Sequence, residues 1–536
     1  MTKPLLIMRG LLVLLGLLAA SGAQASHIQA SEISYVSLGN NRYKVSFRVY
    51  RDCGGALFNS INPDLKYRTT ACSVLSTPGV PMTLVSGSYH IGKDYCATVG
   101  EPCGSGLPTN YETGLFEATV TLPAGQWTLS VTLNARPTLG NVNIGSGDLY
   151  TEATLDNTNG VVNSSPVFST TAQVVSFVGW NLPTTFSEQA VDPDGDSLTY
   201  ELVAPLMSCS EPLTYKSYGS SSTPDPVDPT CITSLPAATY SPTFPLPSFN
   251  LTGTCPQRQL QPYFEFDRQN GSISMRPTLY NAAVNSSDNK HVVAVKVSEY
   301  RRSINSQGRR VATLVGTVRR DMMFTVVDCG DNRNPVLAPI TVNNSPVTQP
   351  VTEVIPVVAG RLVTVRLRAT DVNAGQVLTM TSNVEQVLPN SEFTAAPPSV
   401  SPTVQIDWIP PVNLSPGLYY CTVTTTDSNC PYKGIQTQTL TFRVSSPALA
   451  TQAAKSTTTL TAVPTPFQTQ VSFTLARPGV QQVLVFDQLG RQVTTLLSLP
   501  SGQVQWSPAA SVPAGLYLAR TADGRQVARL LRTDAE

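Results

Sequence analysis

Arg42-Tyr-Lys-Val-Ser-Phe-Arg-Val49 places Tyr43, Val45, Phe47 and Val49 on one side of an extended chain and Arg42, Lys44, Ser46 and Arg48 on the other. Successive side chains of a strand point to opposite faces, so this stretch predicts a half-buried β-strand. Further along, Ala118, Val120 and Leu122, then Pro123-Ala-Gly125, then Trp127, Leu129, Val131 and Leu133 predict a hairpin. Apolar residues rarely recur at helical three-to-four spacing, and turn formers interrupt the chain every ~8–12 residues. The expected fold class is therefore all-β, built from tandem β-sandwich domains of Ig-like or cadherin-like type.

Composition agrees. At roughly 150 residues per domain, 536 residues make about three to four domains. Lys and Arg number 35 against 35 Asp and Glu, and a zero net charge excludes a nucleic-acid binder, which needs a basic excess. Only 13% of residues are charged, while 43 Pro and 35 Gly accompany a 41% hydrophobic fraction. That balance excludes both a coiled coil and a disordered chain.

The N-terminus carries Lys3 and Arg9, an apolar run from Leu11 to Ala20, then Ala23-Gln-Ala25. Residues 1–25 read as a secretory signal peptide. No later apolar run reaches the ~18 residues of a membrane span, so no transmembrane anchor is expected in the mature chain. All ten cysteines follow that segment: Cys53, Cys72, Cys96 and Cys103, then Cys209, Cys231, Cys255 and Cys329, then Cys421 and Cys430. Oxidising conditions and an even count favour disulfides over zinc, which needs closer pairs such as CxxC. With bridges kept within groups, Cys421 and Cys430 would staple a hairpin across Thr426-Asp-Ser-Asn429.

The organisation expected is a disulfide-containing β domain over 26–160, a sandwich over 165–330 and a second over 335–446. The last two share a plan: Asp192-Pro-Asp-Gly-Asp196 is mirrored by Asp371-Val-Asn-Ala-Gly375, and Gly271–Pro277 by Val404–Pro410. Residues 447–460, rich in Ala, Ser and Thr, read as a linker, and 461–536 as a separate small domain.

That last stretch carries Pro464, Pro466 and Phe467, the turn Asp487-Gln-Leu-Gly490-Arg491, and Gly515-Leu-Tyr517. It resembles the type A C-terminal sorting domain of the type IX secretion system, a short β-sandwich, with Thr465 standing where the family usually has Asn. The resemblance implies passage through the type IX translocon, removal of the domain by a sortase, and release of the product or its attachment to the cell surface. Leu38-Gly-Asn-Asn-Arg-Tyr43, Val49-Tyr-Arg-Asp-Cys53, Asp192–Asp196, Val297-Ser-Glu-Tyr-Arg301 and Arg319-Arg-Asp321 also resemble large surface proteins found beside gliding-motility-associated sorting domains. That likeness spans residues 25–330 and implies location rather than chemistry.

Asp192, Asp194 and Asp196 alternate so that a turn could converge their carboxylates on calcium, the one cofactor suggested. Equally, Asp and Gly build such turns without metal by accepting backbone N–H bonds. The third domain keeps only Asp371, and no metal is expected there. His27, His90 and His291 lie in no catalytic motif, so no catalytic residue is assigned. Arg301-Arg302, Arg309-Arg310 and Arg319-Arg320 read as solvated strand ends or, alternatively, as a polysaccharide-binding face. The function expected is binding, adhesion or structural display at the cell surface, with a glycan or surface protein as ligand. The alternative is a secreted polysaccharide hydrolase, which needs only two carboxylates.

Overall fold

The structure is a computed structural model that describes residues 27–53, 58–69, 72, 79–92, 111–145, 147–169, 175–224, 229–283, 286–305, 307–446 and 458–534. The expected signal peptide at 1–25, Cys96, Cys103 and residues 447–457 of the expected linker lie outside the described residues. The fold is all-β: among the described residues the only α-helix is the single turn Val384–Val387. The chain divides into two compact units, 1–446 and 447–536.

In the first unit, the alternating stretch Arg42–Val49 becomes strand Arg42–Asp52, with Tyr43, Val45, Phe47 and Val49 buried. Burying each such side chain contributes about 1.5–3 kcal/mol. Phe47 pairs with Ile33 of strand Ile28–Ser37 on one side and with Phe116 of strand Tyr111–Thr121 on the other. The expected hairpin around Pro123–Gly125 does not form. Strand Tyr111–Thr121 pairs with Arg42–Asp52, whereas Gln126–Asn134 pairs with Asp148–Asp156 and Asp64–Arg68. Both strands send residues into the same core, Val120 from one and Leu129 and Val131 from the other. Alternation sets which face is buried and leaves the choice of neighbour open.

The two sandwiches repeat one topology. In the later one, Thr379–Ser382, Gly417–Thr426 and Ile435–Ser445 pair in antiparallel order, and Ile355–Val358 closes that sheet in parallel. Its second sheet sets Val363–Thr370 against Thr403–Trp408 and Ser391–Thr394, and the core between the sheets is centred on Trp408 and Phe442. In the earlier one, Ser197–Val203, Lys290–Ile304, Arg310–Val327 and the parallel Val175–Gly179 take the same places. Thr184–Ser187, Ser272–Met275 and Phe264–Phe266 form its second sheet.

The boundary expected between 26–160 and 165–330 is not a structural one. The 18-residue strand Arg310–Val327 also pairs with Asp148–Asp156 through Gly316–Val318 and with Ile28–Ser37 through Arg320 and Asp321. One hydrophobic core therefore runs from Ile28 to Val326. Such edge pairing uses backbone groups, which every sequence supplies, so side-chain patterns do not announce it.

The disulfides follow this merger. Cys72 bonds to Cys209, joining two groups expected to stay apart, and Cys231 bonds to Cys255. Cys53 and Cys430 are also disulfide-bonded. Cys329 and Cys421 are free, so the expected Cys421–Cys430 staple is absent. Cys421 points into the sandwich core, 0% exposed and opposite Leu440, while Cys430 lies in an exposed turn.

The second unit holds a five-stranded sheet in the order Thr458–Leu460, Gln526–Arg532, Gly515–Thr521, Gln482–Phe486, Gln492–Leu497. A three-stranded sheet of Ala462–Val463, Val471–Thr474 and Gln503–Trp506 accompanies it. Thr458–Leu460 pairs in parallel with Gln526–Ala528, so the end of the expected linker is strand.

Candidate functional site

The turn at Asp192 leads into strand Ser197–Val203. Asp192 Oδ1 accepts the N–H groups of Asp194 and Asp196 at 3.0 and 2.8 Å, and Gly195 takes φ +79°, the left-handed conformation that tightens the turn. Ligand atoms of Asp192, Asp194 and Asp196 lie within 4.8 Å of one another. The charge facing them is Arg301, from the adjacent strand Lys290–Ile304. Its Nε and Nη2 reach the Asp196 carboxylate at 3.0 and 2.7 Å, and Nη2 lies 3.4 Å from Asp194 Oδ2. The hydrogen bond to Asp196 raises the Arg301 pKa.

Beneath the turn lies Glu299, 0% exposed. Its Oε1 accepts from Tyr35 Oη at 3.0 Å and Asn163 Nδ2 at 2.5 Å. Burial, followed by the hydrogen bond and charge of Asp192, pushes its carboxyl up to about 9. Burial likewise raises Asp192. Two carboxyl groups held together where water cannot separate them favour the protonated form of Glu299.

The same residues join the N-terminal segment to the sandwich. Ser164 N–H donates to Asp194 Oδ2 at 2.6 Å, Tyr35 N–H to Ser165 Oγ at 2.8 Å, and Ser165 N–H to Tyr35 O at 2.9 Å. Gly316 faces Glu299 at the centre of this junction, and a Cβ there would collide with Glu299 Oε1 and Tyr35 Oη.

Calcium needs six to eight oxygens at about 2.3–2.6 Å. Of the carboxylate oxygens here, both of Asp196, one of Asp194 and one of Asp192 are engaged by Arg301 or backbone N–H groups. Asp192 Oδ2 and Glu299 Oε2 are buried with no hydrogen-bond partner among the described residues, and burial holds both carboxyl groups toward their protonated forms. As arranged, the donor set fits a guanidinium better than a calcium ion. In the later sandwich Asp371 Oδ1 caps Asn373 N–H at 2.8 Å in the equivalent turn.

Charge buried nearby was not legible in sequence. Arg320, read as half of a solvated pair, is 2% exposed; it lies 2.9 Å from Glu188 and 3.1 Å from Glu32, with Phe168 under its guanidinium. Burial works against its charge, and Glu32 and Glu188 outweigh that to raise its pKa. Arg136 and Asp321 make a second buried pair at 2.5 Å. Both pairs tie the N-terminal segment to Arg310–Val327. Arg302, Arg309 and Arg310 are exposed, as a strand end and hairpin loop should be. His291 is fully buried and its pKa falls to about 4 by desolvation, which marks a core residue.

Two pockets bear on the hydrolase alternative. One of about 550 Å³ contains a single carboxylate, Asp487, and one of about 290 Å³ beside Arg366 and Gln405 contains none. Among the described residues Tyr89 is the one exposed aromatic.

In the C-terminal unit the residues singled out in sequence have separate structural roles. Asp487 Oδ1 accepts the N–H groups of Leu489 and Arg491, both at 2.9 Å, and Oδ2 pairs with Arg491 Nε at 2.8 Å. Gly490 closes that turn at φ +78°. Phe467, Trp506 and Tyr517 pack in the core at tilted and edge-on angles, and Tyr517 Oη donates to Pro513 O at 2.6 Å. Gly515 opens the Tyr517 strand, while Pro464 and Pro466 are exposed ahead of Phe467.

No protein-family model matches the chain, and no curated protein matches it. Solved structures similar to it include a titin fragment of domains I67–I69, at 9% identity and TM-score 0.15, covering 69% of this chain and 99% of that one. The four N-terminal Ig domains of Dscam1 isoform 7.44 align at 9% identity and TM-score 0.16, over 95% and 100%. At those scores the likeness carries no argument, and the sandwich assignment rests on the sheets themselves. The disulfides place folding in an oxidising compartment. No helix among the described residues is long and apolar enough to cross a membrane.

Proposed function

We propose that this is an exported cell-surface or released protein whose sandwiches serve binding or structural display, and whose residues 461–536 are an address read by a type IX translocon. The observation that carries this reading is the C-terminal unit. It has its own core, and Asp487, Gly490 and Arg491 form one turn beside the Tyr517 strand. A removable address must fold without help from its cargo, and a separate core permits that. Removal by a sortase would fall in the Ala/Ser/Thr-rich stretch before Thr458. The cargo, braced by disulfides and a shared strand, would present its loops to a glycan or surface-protein ligand.

Intact mass of the chain recovered from the cell surface and the medium tests this. Loss of the mass C-terminal to about Ser445 is expected. A surface product that retains Glu536 overturns the address reading and makes the last unit part of the working protein.

A further inference from the structure

The C-terminal five-stranded sheet has one buried and one open face, and the open face carries an apolar cluster of Leu516, Leu518, Leu531 and Phe486 with Arg520 and Arg529 beside it. On strand Gly515–Thr521, Tyr517 and Ala519 point inward, while Leu516, Leu518 and Arg520 point out. Register sets Leu516 opposite Leu531, Leu518 between Arg529 and Phe486, and Arg520 between Val527 and Leu484. Leu516 is 48% exposed and Leu531 41%. Sheets in water normally place polar residues on an open face, and a contiguous apolar patch marks an interaction site.

This patch is also concave. The pocket of about 550 Å³ opens between the Asp487 turn and strand Gly515–Thr521, walled by Phe486, Leu516, Leu518 and Arg520. The Arg520 guanidinium sits 5.5 Å from the Phe486 ring centre. Residues 458–534 contain six arginines and three aspartates. Asp487 is taken by Arg491, and Asp523 by Thr521 and Arg525. Among the described residues no carboxylate makes an ion pair with Arg520 or Arg529.

We propose that this face docks a protein of the export machinery that presents an apolar side chain flanked by carboxylates. The side chain would fill the pocket, and a carboxylate would pair with Arg520. A charge-assisted bond at the rim of an apolar pocket supplies orientation as well as attraction. A pocket suits a protruding side chain, whereas a lipid surface calls for a convex face. The proposal rests on the reading of residues 461–536 as an export address.

The test is export of the full-length chain in its producing cell, read as the fraction reaching surface and medium. Leu518→Asp and Arg520→Glu are each expected to lower it at least about tenfold, while Arg520→Lys and Val480→Ser, an exposed site off this face, stay near wild type. Melting of each purified chain checks folding. Should Leu518→Asp melt early, the contrast between Arg520→Glu and Arg520→Lys decides. Wild-type export of both face variants, with export lost on deletion of 458–536, overturns the docking face and leaves the address reading intact. Undiminished export after that deletion overturns both. Loss of export that tracks lost binding to phosphatidylglycerol vesicles assigns the face to a membrane and overturns the protein partner.

Discussion

Asp192 shows how far a residue can be understood from its neighbours in sequence. Its role as the acceptor that shapes a turn follows from the Asp-Pro-Asp-Gly-Asp run, because Asx acceptors act over two to four residues. Its partners Glu299 and Arg301 lie more than 100 residues away and come from an adjacent strand. The raised pKa of Glu299 beside it has a measurable consequence. The Glu299 carboxyl titrates near 9 in the fold, against an ordinary value of 4.5. The unfolded chain thus ionises first as pH rises, and stability held below about 4.5 is lost progressively up to about 9. The melting temperature is expected to fall between pH 5 and 9, and Glu299→Gln, which cannot ionise, should flatten that decline. An equally steep decline in the variant would reject the assignment. Arg320→Ala strands the buried Glu188 without a cation and leaves Glu32 only Arg48, 3.6 Å away, and chemical denaturation should show a loss of about 3–5 kcal/mol. Millimolar calcium should leave the wild-type melting point within about 1 °C, because an ion must displace Arg301 to bind. A rise of several degrees would show that it does.

Among the elements, strand Arg310–Val327 carries the most structure. Its C-terminal half belongs to the sandwich, and Gly316–Asp321 anchors two strands of the N-terminal segment. Gly316→Ala should therefore destabilise the junction by more than the ~1–3 kcal/mol typical of overpacking, since the methyl group meets a buried carboxyl and a tyrosine hydroxyl that cannot both withdraw. Hydrogen exchange would localise the damage to Ile28–Ser37 and Asp148–Asp156, and uniform protection there would argue against it. The Cys72–Cys209 bond closes a separation of 137 residues across the same boundary. Replacing both cysteines by serine is expected to cost about 3–5 kcal/mol, from the entropy the unfolded chain regains, measured by denaturation with the Cys231–Cys255 bond intact.

Across the molecule as a whole, the all-β class, the strand faces around Tyr43–Val49 and the repeated plan of the two sandwiches were legible in the sequence. They follow from local alternation and turn chemistry, which act over a few residues. The Asp487–Arg491 turn was legible for the same reason. Three things were not. The chain pairs Gln126–Asn134 away from Tyr111–Thr121, runs one core through residue 160, and bonds Cys72 to Cys209. Each depends on which strand edges and thiols meet across more than 100 residues or across a turn, and backbone donors and acceptors are alike at every position. Local chemistry thus settles what is strand and which side of each strand is apolar. Contacts between distant segments settle which edges join, and with them that Arg301 faces the aspartates, that Arg320 is buried, and that the open face around Leu518 borders an Arg520 with no carboxylate beside it among the described residues.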